Sequence, residues 1–155
     1  MARITRILVP TDFSAPADAA LDYARDLARQ FGASIHLVHV FDDPLTSGAF
    51  VGDGAVVMPF ELREAAEAYA REQLDSRHVA HAGTLPDSAT ALLHGPPAKR
   101  LVEQAKEDKA DLIVMATHGR TGLGHLLIGS VAERVVRMAS CPVLTTRQPN
   151  DDQGH

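Results

Sequence analysis

The residues with the clearest chemical potential lie between Ala116 and Ser130, in the stretch ATHGRTGLGHLLIGS, where Gly119, Gly122, Gly124 and Gly129 follow an apolar run ending at Met115. Glycine allows a ligand to approach the backbone closely. A helix opening at Ser130 would add free amides and the positive end of its dipole, a combination that attracts phosphate. Ser130-Val-Ala-Glu133 has the spacing of a capping box, in which the Ser130 hydroxyl accepts from the Glu133 amide and Glu133 reaches back. Two familiar phosphate motifs fail. Gly124 and Gly129 have the glycine spacing of a P-loop, but Ser130 stands where its lysine belongs. Gly122-Leu-Gly124-His-Leu-Leu127 lacks the third glycine of the dinucleotide fingerprint. Two readings remain: amides arranged around an anion, or glycines that only turn the chain.

Other groups point less clearly to chemistry. His36 and His39 are three apart in a strand pattern, so they face opposite ways and do not readily share a metal. His78 and His81 read as a solvated helix end with no acidic or cysteine partner in sequence, and His94 reads as a loop residue. His118, inside the glycine stretch, could touch phosphate or ribose. The single cysteine, Cys141, excludes an intramolecular disulfide and fits a reducing compartment. It follows a helix pattern with no base beside it and reads as a small buried hydrophobe. No G-x-S-x-G elbow occurs, nor a carboxylate pair spaced for glycosidase work. Efficient catalysis is therefore not indicated.

The elements that must position these groups alternate. Strand patterns cover Ile4 to Val9, Ile35 to Phe41, Ser88 to Leu93, Leu112 to Ala116 and Val143 to Thr146. Helix patterns cover Pro16 to Phe31, Phe60 to about Arg77, Pro97 to about Lys109, and Ser130 to Ala139. Residues 42–58 read as a long surface loop. Strict alternation predicts an α/β fold: a doubly wound, Rossmann-like, five-stranded parallel sheet with helices on both faces. With strand order 3-2-1-4-5, the first and fourth strands meet at the switch point, where such sheets bind ligands beyond their C-terminal strand ends. That places Val9-Pro10-Thr11-Asp12 and the glycine stretch on one crevice.

At 155 residues, 45% hydrophobic and 23% charged, the chain fits one soluble domain over residues 1–147 with a disordered polar tail at 148–155. A net charge of −5 argues against generic binding to nucleic acid or anionic membranes. No apolar stretch approaches the ~20 residues of a membrane span, and no secretory leader is evident, so a cytoplasmic location is expected.

The segments ILVPTDFSAPADAALDYARDLA and ADLIVMATHGRTGLGHLLIGSVAERVVRMASCPVLTTR, and their separation, resemble the universal stress protein family along nearly the whole chain. Nucleotide-binding members carry Gly-x2-Gly-x9-Gly-Ser/Thr. Here its last three elements fall on Gly119, Gly129 and Ser130, and its first on Ala116. The resemblance implies an ATP site. Asp12 would lie near the ribose or a phosphate-bound Mg2+, with Pro10 and Thr11 shaping the floor. Val40 would meet adenine through its backbone, while Met115 and Ala116 line the nucleoside. Gly119, Arg120, Gly129, Ser130 and Val131 would wrap the phosphates. If position 116 needed a positive φ, the alanine methyl would cost on the order of 1–2 kcal/mol; with a negative φ it would pack against the ribose.

The expected function is therefore an ATP-binding regulatory protein of stress responses, with slow or no hydrolysis. The alternative is a dimeric interaction scaffold of the same fold that binds no nucleotide. The last strand, with Val143, Leu144 and Thr145, is short and β-prone. At a sheet edge it would invite antiparallel pairing with a second copy, as the family resemblance also implies. Gly129→Glu is expected to abolish binding while leaving the fold largely intact.

Overall fold

A computed structural model describes residues 3–42, 58–118 and 128–147. The elements are β1 (Arg6–Pro10), α1 (Ala15–Phe31), β2 (Ser34–Phe41), α2 (Phe60–Arg77), β3 (Ala89–His94), α3 (Pro97–Glu107), β4 (Leu112–Ala116), α4 (Ser130–Met138) and β5 (Val143–Thr146). The strands form one parallel sheet in the order β3-β2-β1-β4-β5. This is the order expected from the alternation of elements, with β1 and β4 adjacent at its switch point.

The two central strands, β1 and β4, carry the unbroken apolar runs Ile7–Val9 and Leu112–Ala116 because both faces of the sheet are covered there. Side chains alternate between the two. Ile7 and Val9 of β1, with Leu112 and Val114 of β4, join Leu21, Ala24 and Ala28 of α1 and Leu74 of α2. Leu8, Ile113 and Met115 point the other way, onto Leu101 and Ala105 of α3 and Ala132 and Val135 of α4. Small alanines on α1 let that helix lie close over the sheet.

The ends of the elements follow local chemistry. Ser14 caps α1, its hydroxyl accepting from Ala17 N–H at 3.3 Å, and Pro16 fills the first turn. Gly32 ends α1 at φ +67. α3 ends in the same way but with a lysine. Ala110 N–H donates to Ala105 O at 2.8 Å and Lys109 N–H to Lys106 O at 3.1 Å, a Schellman closure with Lys109 at φ +52. One turn of π-helix, His78–Ala82, continues α2 and was not legible in the sequence.

Three expectations about histidines need correction. His81 is not solvated: its Nδ1 meets Asp22 Oδ1 of α1 at 2.6 Å. His78 Nε2 is buried without a partner among the described residues. His94 is the last residue of β3 rather than a loop residue, with Nε2 3.2 Å from Glu67 of α2. Burial alone would raise the Glu67 pKa, but hydrogen bonds from Arg63 and His94 outweigh it and hold it low.

Candidate functional site

The C-terminal ends of β1, β2 and β4 open into a cleft of ≈ 320 Å³, roofed by the N-terminal turns of α3 and α4. Pro10, Thr11 and Asp12 enter it from β1, and Val40 from β2. Met115, Ala116 and His118 come from the end of β4, and Gly129, Ser130 and Val131 from the start of α4. Ten of the expected site residues thus share one concavity. Gly119 and Arg120 lie outside the described residues, as do 43–57 of the expected loop and the tail 148–155. Sequence reasoning missed Val38, His39, Pro97, Leu101 and Thr117, which also line the cleft. Pro97 and Leu101 were within reach, because a helix that follows a strand's C-terminal end must begin beside any ligand held there.

The start of α4 is the most distinctive feature. The expected capping box does not form. Gly129 takes the cap position at φ −62, ψ 154, Ser130 is the first helical residue, and no side chain caps the helix. Glu133 N–H donates to Gly129 O at 2.9 Å, while the Glu133 side chain pairs with Arg137 at 2.8 Å. An extended glycine in the cap position moves the serine one residue too far along to serve as cap. The first N–H groups of a helix have no partner within it. Among the described residues, those of Ser130, Val131 and Ala132 find no acceptor elsewhere, and all three residues line the cleft.

Gly129 is required by a close approach rather than by an unusual φ. Its N–H donates to Thr117 O at 2.6 Å, and a Cβ built there would stand 2.9 Å from that same oxygen. Gly129→Glu would therefore shift the local backbone as well as fill the cleft. Ala116 has the opposite character. It lies in β4 opposite Thr146, in extended conformation and absent from the positive-φ positions Phe13, Asp87 and Lys109. Its methyl carries no backbone strain.

Across the cleft, the turn after β1 presents Asp12. The Asp12 Oδ1 accepts from Ser14 N–H at 3.0 Å and from the Ser14 hydroxyl at 2.5 Å. Asp12 thus orients Ser14, the residue that caps α1. His118 Nδ1 lies 3.0 Å from the Thr117 hydroxyl, and its Nε2 is buried with no partner among the described residues. Cys141 is half-buried against the α3–α4 core. Burial, and then the Asp111 carboxylate, push its thiol pKa up, so it stays protonated at neutral pH and does not act as a thiolate.

A phosphate could be held by the α4 amides, and a divalent cation could arrive with it. Asp12 is the only carboxylate among the described cleft residues, and no group of three His, Cys, Asp or Glu side chains able to hold a metal occurs among the described residues. One carboxylate plus phosphate oxygens and water suits Mg2+, which seldom relies on an all-protein cage.

The sequence profile of the universal stress protein family matches residues 3–147. The universal stress protein MJ0531 of Methanocaldococcus jannaschii is 35% identical over 148 residues, spanning 95% of this chain and 84% of its own. Among solved structures, MJ0577 of the same organism superposes with a TM-score of 0.80 at 25% identity, covering 97% of this chain and all of its own. A universal stress protein solved in complex with cAMP superposes with a TM-score of 0.64 at 27% identity, covering 94% of this chain and 98% of its own. With the strand order, the cleft and the match over 3–147 in agreement, this chain belongs to the universal stress protein family.

Proposed function

We propose that the cleft binds ATP, with Asp12 as the residue that would hold a Mg2+ ion accompanying the phosphates, and that the protein acts as a nucleotide-responsive regulator in stress responses. The observation that carries this reading is the start of α4: three amides without partners among the described residues, at the positive end of a helix dipole, facing Asp12 across a cleft. The relative in complex with cAMP supports an adenine nucleotide as the class of ligand. Gly119 and Arg120 would complete the phosphate wrap. His118 Nε2, buried and unpartnered among the described residues, is a donor or acceptor available to the phosphates or ribose. The described cleft residues include no carboxylate besides Asp12 to serve as a base, so slow hydrolysis or none is expected.

Calorimetry with Mg-ATP on the folded protein tests this. Micromolar to millimolar affinity is expected, and no heat at millimolar ATP overturns it. A second reading, pairing with another copy, is favoured by the position of β5 at the sheet edge, where Val143, Leu144 and Thr145 leave one side of the strand unpaired among the described residues. Sedimentation of the wild type against Thr145→Pro, which removes an N–H from that edge, should show dimer lost to monomer. No described helix is long and apolar enough to cross a membrane.

A further inference from the structure

The turn that presents Asp12 contains a residue in a conformation that its type disfavours. Phe13 sits at φ +66, the left-handed region that bulky L-residues rarely adopt unless their surroundings impose it. Local bonds account for part of this. Phe13 N–H donates to Thr11 Oγ1 at 3.0 Å, and the Asp12 carboxylate folds back onto Ser14. Further contacts to Phe13 come from α2, far along the chain. Arg77 Nη2 donates to Phe13 O at 2.9 Å, and the guanidinium carbon lies 5.1 Å from the Phe13 ring centroid. The same fork is aligned by Asp18, whose two oxygens accept from Nε at 2.6 Å and Nη2 at 3.3 Å, and by Gln73, which accepts from Nη1 at 2.6 Å. The Phe13 ring also stacks on His39, centroids 4.3 Å apart, and the His39 Nδ1 lies 2.8 Å from Thr11 O. Arg77 itself is not among the residues that line the cleft.

We propose that Arg77 is a positioning residue: it holds Phe13 in the left-handed conformation and thereby keeps Asp12 facing the cleft, so that the C-terminal end of α2 sets the affinity of a site it does not touch. This rests on the reading of the cleft as an ATP site. The planar fork matters because one guanidinium must meet a carbonyl, a carboxylate and an amide at once, which an ammonium cannot reproduce. The π-helical turn that begins at His78, directly after Arg77, makes the register of this end of α2 a natural point of control. Displacing it would release the turn at Asp12.

The test compares wild type, Arg77→Met and Arg77→Lys by amide exchange of the unliganded proteins, thermal melting, and Mg-ATP calorimetry below the melting range. In Arg77→Met, exchange over residues 11–14 should rise about tenfold, with ATP binding about tenfold weaker. Arg77→Lys should recover much of the melting temperature through Asp18 but neither the exchange protection nor the affinity. If Arg77→Met does not fold, Asp18→Asn, which misaligns the fork without removing it, should show both effects in smaller measure. Exchange and affinity within about twofold of wild type in a folded variant overturn the proposal, as does faster exchange with unchanged affinity. If the wild type binds no ATP, the nucleotide reading falls while the exchange comparison still decides whether Arg77 holds the turn.

Discussion

At the N-terminal ends of the strands, Asp111 accepts from Thr5 N–H at 2.8 Å, the Thr5 hydroxyl at 2.8 Å and Arg6 N–H at 3.0 Å. Beside it, Asp108 pairs with His36 and accepts from Gln104, while Arg6 donates to the Asp108 carbonyl. At the C-terminal ends the three α4 amides and His118 Nε2 stand without partners among the described residues, around a concavity. An unmet polar group costs stability, and a met one stabilises modestly. The lower end therefore contributes to holding the fold together. The upper end keeps donors that a ligand can use. The contrast separates two roles that the sequence alone leaves mixed, since both ends are rich in short polar residues.

The largest effect expected is at the lower end. Asp111→Ala strips three hydrogen bonds from a carboxylate and should lower unfolding free energy by about 3 kcal/mol in denaturant titrations. ATP affinity in the remaining folded protein should be unchanged. A comparable loss of affinity would show that the two ends are not separable. Burial pushes the Asp111 pKa up, but the bonds from Thr5 and Arg6 outweigh it and hold it below the ordinary value. Its contribution is therefore complete above the unfolded aspartate pKa and is lost as pH falls through the lower folded one, below about pH 4. Acid unfolding of Asp111→Asn should be less steep there than that of wild type.

Next comes the upper end. Gly129→Ala puts a methyl against the Thr117 carbonyl and should weaken ATP about tenfold by calorimetry, with a smaller loss of stability than Asp111→Ala. Unaltered affinity would mean that the phosphates lie elsewhere. Away from both, Lys109→Gly relieves a left-handed lysine and should raise stability by about 1 kcal/mol without touching binding. The smallest change is Ala116→Gly. It supplies the glycine of the family pattern, yet should leave affinity unaltered and lower stability by about 0.5–1 kcal/mol, because a strand loses from glycine. Tighter ATP binding in that variant would contradict the extended backbone described at this position.

The element order was legible because each strand and helix carries its own period, and strand ends differed by only one or two residues. The turn after β1 and the start of α4 were likewise legible as the two sides of the cleft. What escaped depends on residues far apart in sequence. Nothing near His36 announces Asp108, nor near His81 Asp22, and the partner of Arg77 in the turn, Phe13, is of a type that argues against a positive φ. The capping box failed for a reason of the same kind. Its spacing was correct, but a contact between Gly129 and Thr117, across the intervening segment, moved the cap by one residue.

The strand conformation of Ala116 bears on how relatives are found. A consensus written in residue letters demands glycine there and would pass over this chain. In this chain the extended backbone at 116 accepts an alanine, whereas at 129 the Thr117 carbonyl leaves no space for a Cβ. Of the two glycines at these positions in the pattern, the second is the one that geometry enforces.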